Sequence, residues 1–361
     1  MKITIATGLY PPEIGGPATY TVLLEKELPK RGYEVSVLAF HQSRHLPKVI
    51  RHVHFFYLAF KAALKSDILF AQDVSSVGFP SWLAAKLTGT TFFVRVPGDY
   101  AWEQSVQRYG VSEDIDTFQK KRYGLRVQFL RFIQSTVTRF ADKVVTPSNY
   151  FRLLVIGWGV PESKVHAIYN GVDLNKEASA VDKPGRLTMV TAGRLVPWKG
   201  FSEVIKMMKS LPDWHLVILG DGPDKESLIE LTEELSLESR VHLLGNVTRD
   251  EVFSWCSAAD AFILNTRFES FSYQIVEAMC SGTPVITTNV GSLPELITSG
   301  EDGVLVEYND MSAMLEAVKT IILNKTKWSE MTLASQKKAQ KFSIEKTMDS
   351  LDKLIKSHQN G

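Results

Sequence analysis

Asp260-Ala-Phe-Ile-Leu-Asn-Thr-Arg-Phe-Glu-Ser-Phe-Ser-Tyr-Gln-Ile-Val-Glu-Ala-Met-Cys-Ser-Gly282-Thr-Pro284-Val-Ile286 decides the fold. An apolar run leads through a short turn into a helical stretch, which stops near Gly282-Thr-Pro284 and gives way to a second apolar run. Strand, helix, strand is the unit of a parallel sheet, because parallel strands need a long crossover between them. Glu269 falls just ahead of the helix and Glu277 well inside it. Eight residues of helix rise about 12 Å, roughly the reach of a hexose, a diphosphate and a ribose in a row. Between the two carboxylates lie first-turn backbone N–H groups, which suit an anion.

The alternation extends in both directions. Strand candidates in the first half are residues 2–7, 34–40, 53–58, 67–71, 91–96, 143–146 and 164–169. The second half offers 187–192, 214–219, 240–244, 260–264, 284–288 and 303–306. Such alternation predicts an α/β fold with two doubly wound, Rossmann-like sheets. The polar, turn-rich stretch from Asn170 to Gly185 separates the two series. The predicted domains are 1–170 and 187–341, joined by a linker over 171–186. The closing segment 342–361 has the spacing of an amphipathic helix, with Ser343 as its N-cap and Glu345 in the first turn. Ligands in open parallel sheets bind beyond the carboxyl ends of the strands, so the site is expected in a cleft between the domains.

A second signal is Gly193-Arg194-Leu-Val-Pro-Trp-Lys199-Gly200, between a strand and a helix. Arginine offers a forked, permanently charged contact to phosphate oxygens, and lysine adds a compact charge. Gly-Arg-Leu-x-x-x-Lys-Gly, then Glu-x7-Glu, then Ala278-Met-Cys-Ser-Gly282-Thr-Pro284-Val-Ile resembles the family 4 retaining glycosyltransferases along nearly the whole chain. The resemblance implies the GT-B fold, a nucleotide-sugar-binding C-terminal domain and an acceptor-side N-terminal domain, with the last helix crossing back. It also implies transfer of a hexosyl unit, with retention, from a UDP- or GDP-sugar to an acceptor hydroxyl on a glycan, glycolipid or small molecule. In that scheme Arg194 and Lys199 neutralise the leaving diphosphate, helped by the backbone of Ser270, Phe271, Ser272 and Tyr273. Glu277 binds the ribose and Glu269 contacts the donor sugar. Relatives carry Phe-Gly where this chain has Phe271-Ser272, and a glycine approaches a ligand more closely than a serine. Gly15 and Gly16, in Tyr10-Pro-Pro-Glu-Ile-Gly-Gly-Pro17, match the family's glycine-rich loop at the donor. Asp99, after the fifth strand candidate, stands near the position where relatives place a histidine. It reads equally as a stabiliser of the reacting sugar and as a helix cap.

Composition narrows the alternatives. In 361 residues there are 41 Lys and Arg against 40 Asp and Glu, which argues against a dedicated nucleic-acid binder. The two cysteines and the scattered histidines form no disulfide or metal pattern, so neither a metal nor a cofactor is expected. No apolar run approaches the length of a membrane span, and the expected location is cytoplasmic. The basic and aromatic stretch from His41 to Lys65 has two readings. One is a half-buried strand followed by a solvated helix; the other is contact with an anionic membrane or lipid-linked acceptor. The series Arg122, Arg126, Arg131 and Arg139 reads as a solvated helix face. Two other functions stay open on the same frame: a non-catalytic nucleotide-sugar or polysaccharide-binding subunit, and a nucleotide-sugar epimerase.

Overall fold

A computed structural model describes residues 1–13 and 15–359. Ile14, Asn360 and Gly361 lie outside the described residues, as do the side chains of Lys48 and Gln359. The chain forms two compact units, one of residues 1–171 with 345–361 and one of residues 172–344.

The first unit has strands β1 (Lys2–Thr7), β2 (Glu34–Ala39), β3 (Ile68–Ala71), β4 (Thr91–Arg95), β5 (Lys143–Thr146) and β6 (Val165–Ala167). They form a parallel sheet of order β2-β1-β3-β4-β5-β6. Its helices are α1 (Gly16–Glu27), α2 (His41–Arg44), α3 (Lys48–Ala63), α4 (Gly78–Thr88), α5 (Tyr100–Arg108), α6 (Ile115–Lys120), α7 (Leu125–Phe140) and α8 (Asn149–Gly157). The second unit has β7 (Leu187–Ala192), β8 (Trp214–Leu219), β9 (Val241–Gly245), β10 (Ala261–Leu264), β11 (Val285–Thr288) and β12 (Val304–Val306). Its order is β12-β11-β10-β7-β8-β9. Its helices are α9 (Phe201–Met207), α10 (Lys225–Glu234), α11 (Arg249–Ala258), α12 (Tyr273–Ser281), α13 (Leu293–Leu296), α14 (Met311–Leu323) and α15 (Lys325–Ala339). The last helix, α16 (Ile344–Gln359), buries Met348, Leu351, Leu354 and Ile355 in the first unit, at the spacing of one helix face.

Helices cover both faces of each sheet, so the central strands are buried at every residue, β3 and β10 with apolar side chains alone and β11 with Thr287 and Thr288 at its end. In the second unit, Met189, Leu216, Ile218, Ile263 and Ile286 meet Val204, Leu228 and Met314 in one core.

One strand candidate is overturned. Residues 53–58 lie inside α3, not in a strand. Phe55, Ala59 and Ala63 are buried one turn apart, while Val49, Val53 and Tyr57 point out, which is helical spacing. The segment also lies between β2 and β3, where the parallel pairing of both with β1 demands a crossover. The arginine series is corrected in part. Arg131, half-buried, donates to the carbonyls of Phe118 and Lys121, and Arg139, though exposed, to that of Trp158, so two of the four also clasp backbone.

His215 on β8 stacks on His242 of β9 at 5.6 Å with planes 9° apart. Burial, and then the charge of His215, hold the His242 pKa below its ordinary 6.5. The unfolded chain therefore takes up the proton more readily than the folded one. This stability is complete above the ordinary imidazole value and is lost as the pH falls through it. The melting temperature is expected to drop between about pH 7 and pH 5, and His242→Gln to shrink that drop. An unchanged pH slope in the variant would remove the pair from the account.

Candidate functional site

In the second unit the chain runs from β7 outward to β8 and β9, then returns to β10 on the other side of β7. The crevice at the carboxyl ends of β7 and β10 is thus the topological switch point, where open α/β sheets bind ligands. Three loops meet there, following β7, β10 and β11.

The loop after β7 begins at Gly193 and ends at Gly200, both at positive φ (153° and 60°). A Cβ on Gly200 would lie 2.2 Å from the carbonyl oxygen of Asn265, so only glycine lets this loop close on the end of β10. The Trp198 carbonyl accepts from the Arg267 N–H at 2.7 Å and the Thr266 hydroxyl at 3.2 Å. This stitching brings the Lys199 ammonium onto Oε1 of Glu269, seventy residues later. Both side chains are nearly out of water, at 12% and 10% exposure. Burial pushes the Glu269 carboxyl above its ordinary pKa, while Lys199 pulls it down. The loop after β11 supplies the third clasp. The Ser292 N–H donates to the Glu269 carbonyl at 3.0 Å, and a Cβ on Gly291 (φ 55°) would lie 2.4 Å from that oxygen. Sequence reading did not single out Gly291-Ser292; a glycine just after a strand was the one signal.

Glu277 has a partner that sequence reading also missed. Arg249, first residue of α11, donates to its Oε1 from Nε (3.0 Å) and Nη2 (2.5 Å). The guanidinium lies over the Tyr273 ring, 4.3 Å from its centroid. The Glu277 side chain is only 1% exposed, and burial raises its pKa against the pull of Arg249. Its Oε2 takes no hydrogen bond from the described residues.

The remaining residues of this half divide plainly. Arg194 is exposed and makes no ion pair or hydrogen bond among the described residues, so its guanidinium is open to a ligand. Phe271 turns its ring inward against Tyr273 and Phe342, which leaves its backbone alone for a ligand. Ser272 is the N-cap of α12, its hydroxyl accepting from the Ile275 N–H at 3.3 Å. With φ −105° it needs no glycine, so the serine costs no backbone strain. The separation of the two glutamates is a correction: α12 begins at Tyr273, so about half of those eight residues are loop.

Gly15, Gly16 and Asp99 belong to the first unit. Gly15 is the N-cap of α1 at φ 155°, and Pro17 stands in the first turn. Asp99 must be withdrawn as a catalytic residue. It is fully buried, and its Oδ1 caps α5 through Trp102 N–H (3.0 Å) and takes Gln134 Nε2 (3.1 Å). Oδ2 takes Gln119 Nε2 at 2.8 Å, and with the side chain wholly out of solvent no substrate reaches either oxygen; burial raises its pKa. The switch point of this sheet lies between β1 and β3. A cavity of about 370 Å³ opens there, lined by Gly8, Asp73, Ser76, Gly98 and the arginines Arg44 and Arg51. Arg44 bonds Glu13 and the Gly8 carbonyl, whereas Nε of Arg51 is buried with no partner.

Residues 174–342 match the glycosyl transferases group 1, and residues 14–176 match glycosyltransferase family 4. The chain belongs to the family 4 glycosyltransferases. It is 26% identical to the 2-deoxystreptamine N-acetyl-D-glucosaminyltransferase of Niallia circulans over 48% of each chain. It is 29% identical to the lipopolysaccharide core biosynthesis glycosyltransferase LpsE of Rhizobium meliloti, over 49% of this chain and 52% of the relative. The match spans about half the length of these curated relatives. An uncharacterized glycosyltransferase of Methanocaldococcus jannaschii matches over 85% of both chains at 25% identity. Among solved structures, Anabaena HepE in complex with UDP-glucose aligns over 99% of this chain and 100% of its own, with TM-score 0.80 and 19% identity. Sucrose-phosphate synthase from Thermosynechococcus elongatus gives 0.83 at 18% identity over 99% of both chains. At such identities the likeness establishes the fold, GT-B, with its two Rossmann-like units. In this family 4 glycosyltransferase, Arg194, Lys199, Glu269 and Glu277 all fall in the group 1 match.

Proposed function

We propose that the protein transfers a hexosyl unit from a nucleoside diphosphate sugar to an acceptor hydroxyl, with retention at the anomeric carbon. One observation carries this reading. Two buried carboxylates, each held by a cation, stand in the loop ahead of α12 and inside that helix at the switch point of the second unit, with Arg194, unbonded among the described residues, on the loop after β7. Arg194 and Lys199 supply fixed charge where the departing diphosphate becomes more negative. Oε2 of Glu277 suits the ribose hydroxyls, and the first turn of α12 suits a phosphate. Glu269 orients the donor sugar. Because it is already bonded to Lys199, it makes a poor nucleophile, and front-face attack fits better. The acceptor oxygen bonds to the anomeric carbon as the bond to the phosphate oxygen breaks, and that oxygen takes the acceptor's proton. The cavity of the first unit, where Nε of Arg51 has no hydrogen bond among the described residues, is the natural seat for a glycan or lipid-linked acceptor. HepE, whose structure contains UDP-glucose, makes uridine the first base to try.

Calorimetric titration with UDP, GDP, UDP-glucose and GDP-mannose, with and without Mg²⁺, tests the donor half. Micromolar binding of one nucleotide, abolished in Glu277→Ala, is the expected result, followed by sugar transfer or slow donor hydrolysis. Binding without either reaction would favour the non-catalytic subunit. No binding by any of the four would overturn the donor assignment.

A further inference from the structure

Helices α3, α4, α7 and α8 follow the crossovers β2→β3, β3→β4, β4→β5 and β5→β6, all made in the same direction along the sheet. Right-handed crossovers in one direction put their helices on one face. This layer is chemically unlike the rest of the chain. Four of its helices, α3, α4, α7 and α8, contain eight Lys or Arg and not one Asp or Glu, although the whole chain is balanced at 41 to 40; the acids of this layer's helices, Glu103 and Asp116, sit on α5 and α6 of the β4→β5 crossover. The helix of the opposite crossover, α1, carries Glu25 and Glu27.

The same layer holds the exposed apolar side chains. Of eighteen exposed large hydrophobic residues among those described, eleven lie on these four helices and a twelfth, Leu64, caps α3. On α7, Leu125, Phe129, Phe132 and Phe140 are 89%, 61%, 64% and 62% exposed. At 3.6 residues per turn they fall within an arc of about 80°. Trp82 of α4 stacks on Phe140 at 5.8 Å, and the Lys86 ammonium lies over both rings. Beside the stripe, Arg122 and Arg126 are exposed, and neither makes an ion pair or hydrogen bond among the described residues. On α3, Val49, Val53 and Tyr57 form a second exposed row, with the Lys61 ammonium 4.3 Å from the Tyr57 ring.

Soluble proteins rarely gather exposed apolar residues on one face unless something covers it. Charge decides what. In a two-fold pairing of copies, the same patch meets itself, and here that would press two cationic surfaces together. A surface of opposite charge with an apolar interior meets both demands. We propose that the α3/α4/α7/α8 face docks on an anionic lipid bilayer, the phenylalanines of α7 entering the acyl boundary while Arg122, Arg126, Lys61 and Lys86 meet headgroups. The inference stands apart from the transfer reaction, since it uses no residue of the candidate site.

Sedimentation with sucrose-loaded vesicles tests it, using phosphatidylcholine alone and phosphatidylcholine with about one-third phosphatidylglycerol. The full chain should pellet with the anionic vesicles only, and less so at about 1 M salt, where the Debye length shrinks to about 3 Å. Phe129→Ser with Phe132→Ser should lower the partition coefficient at least about tenfold. Arg122→Glu with Arg126→Glu should abolish the preference for anionic lipid. All four positions are exposed, so an unchanged melting temperature accompanies either result. Equal binding to neutral vesicles, or an unchanged partition in the phenylalanine variant, would overturn the proposal. So would a lipid-free dimer in sedimentation velocity that the phenylalanine variant dissociates, which would make the face a contact between copies.

Discussion

Lys199→Ala is expected to lower kcat by about 10²- to 10³-fold, the usual effect of removing one fixed group that stabilises transition-state charge. The same change should also destabilise the fold, by about 3 kcal/mol at neutral pH, because it strips the partner from a buried carboxylate. Lys199 and Glu269 are each nearly excluded from water, and Lys199 is the group that opposes the upward push of burial on the Glu269 pKa. Without it, the folded protein holds a proton on Glu269 to higher pH than the unfolded chain does. Stability is then lost as the pH rises through the ordinary carboxylate range, and the deficit against the parent widens with pH. Activity and stability can be separated by pairing Lys199→Met with Glu269→Gln, which leaves no buried charge. That double variant should regain most of the melting temperature and none of the turnover. Parent-like turnover in Lys199→Ala would remove the lysine from the reaction. A parent-like melting temperature would mean that the pair is not buried in solution.

What the sequence made legible, and what it did not, follows from the range of the forces involved. The strand, turn and helix around Glu269 are written in local residues: an apolar run, Ser272 as cap, and Gly282 at φ 73° as stop. Arg194 and Lys199 could be placed at a strand end because Gly193 and Gly200 bracket them locally. Residues 53–58 were misread because a short apolar run is the same whether it buries as a strand or as a helix face; only its place between two strands parallel to a common neighbour settles it. Asp99 looked alike as cap and as catalyst. Gln119 and Gln134, which donate to its second and first oxygens and help enclose it, arrive twenty and thirty-five residues later. Gly291 matters only because sheet order lays the loop after β11 against Glu269. Arg249 is of the same kind. Its acidic neighbours Asp250 and Glu251 bond elsewhere, to Lys176 and within a capping box, and its partner Glu277 lies 28 residues on.

Arg249→Ala is therefore the sharper test of how the second carboxylate works. Glu277 is 1% exposed, whereas Arg249 keeps 33% of its side chain in water. The arginine is thus the half of the pair that meets solvent and the glutamate the half that does not. Truncation leaves a charge that cannot reach solvent, which is expected to lower stability by about 3 kcal/mol and to remove a guanidinium–tyrosine contact as well. Arg249→Lys should recover only part of this, since an ammonium cannot donate from two nitrogens to one oxygen. The consequence for the donor follows from the geometry. Both guanidinium bonds fall on Oε1, so the arginine fixes the carboxylate while Oε2 takes no hydrogen bond from the described residues and is the atom the proposed ribose contact would use. A ribose contact is made alike in the ground and transition states, so its loss appears in binding and leaves the bound reaction nearly untouched. Arg249→Ala should weaken nucleotide binding by about tenfold or more, raise KM in step, and change kcat little, the reverse of the Lys199 pattern. An unchanged nucleotide Kd would show that Glu277 holds its orientation without the arginine. A fall in kcat at constant KM would move Arg249 from the ribose end of the site to the reacting bond.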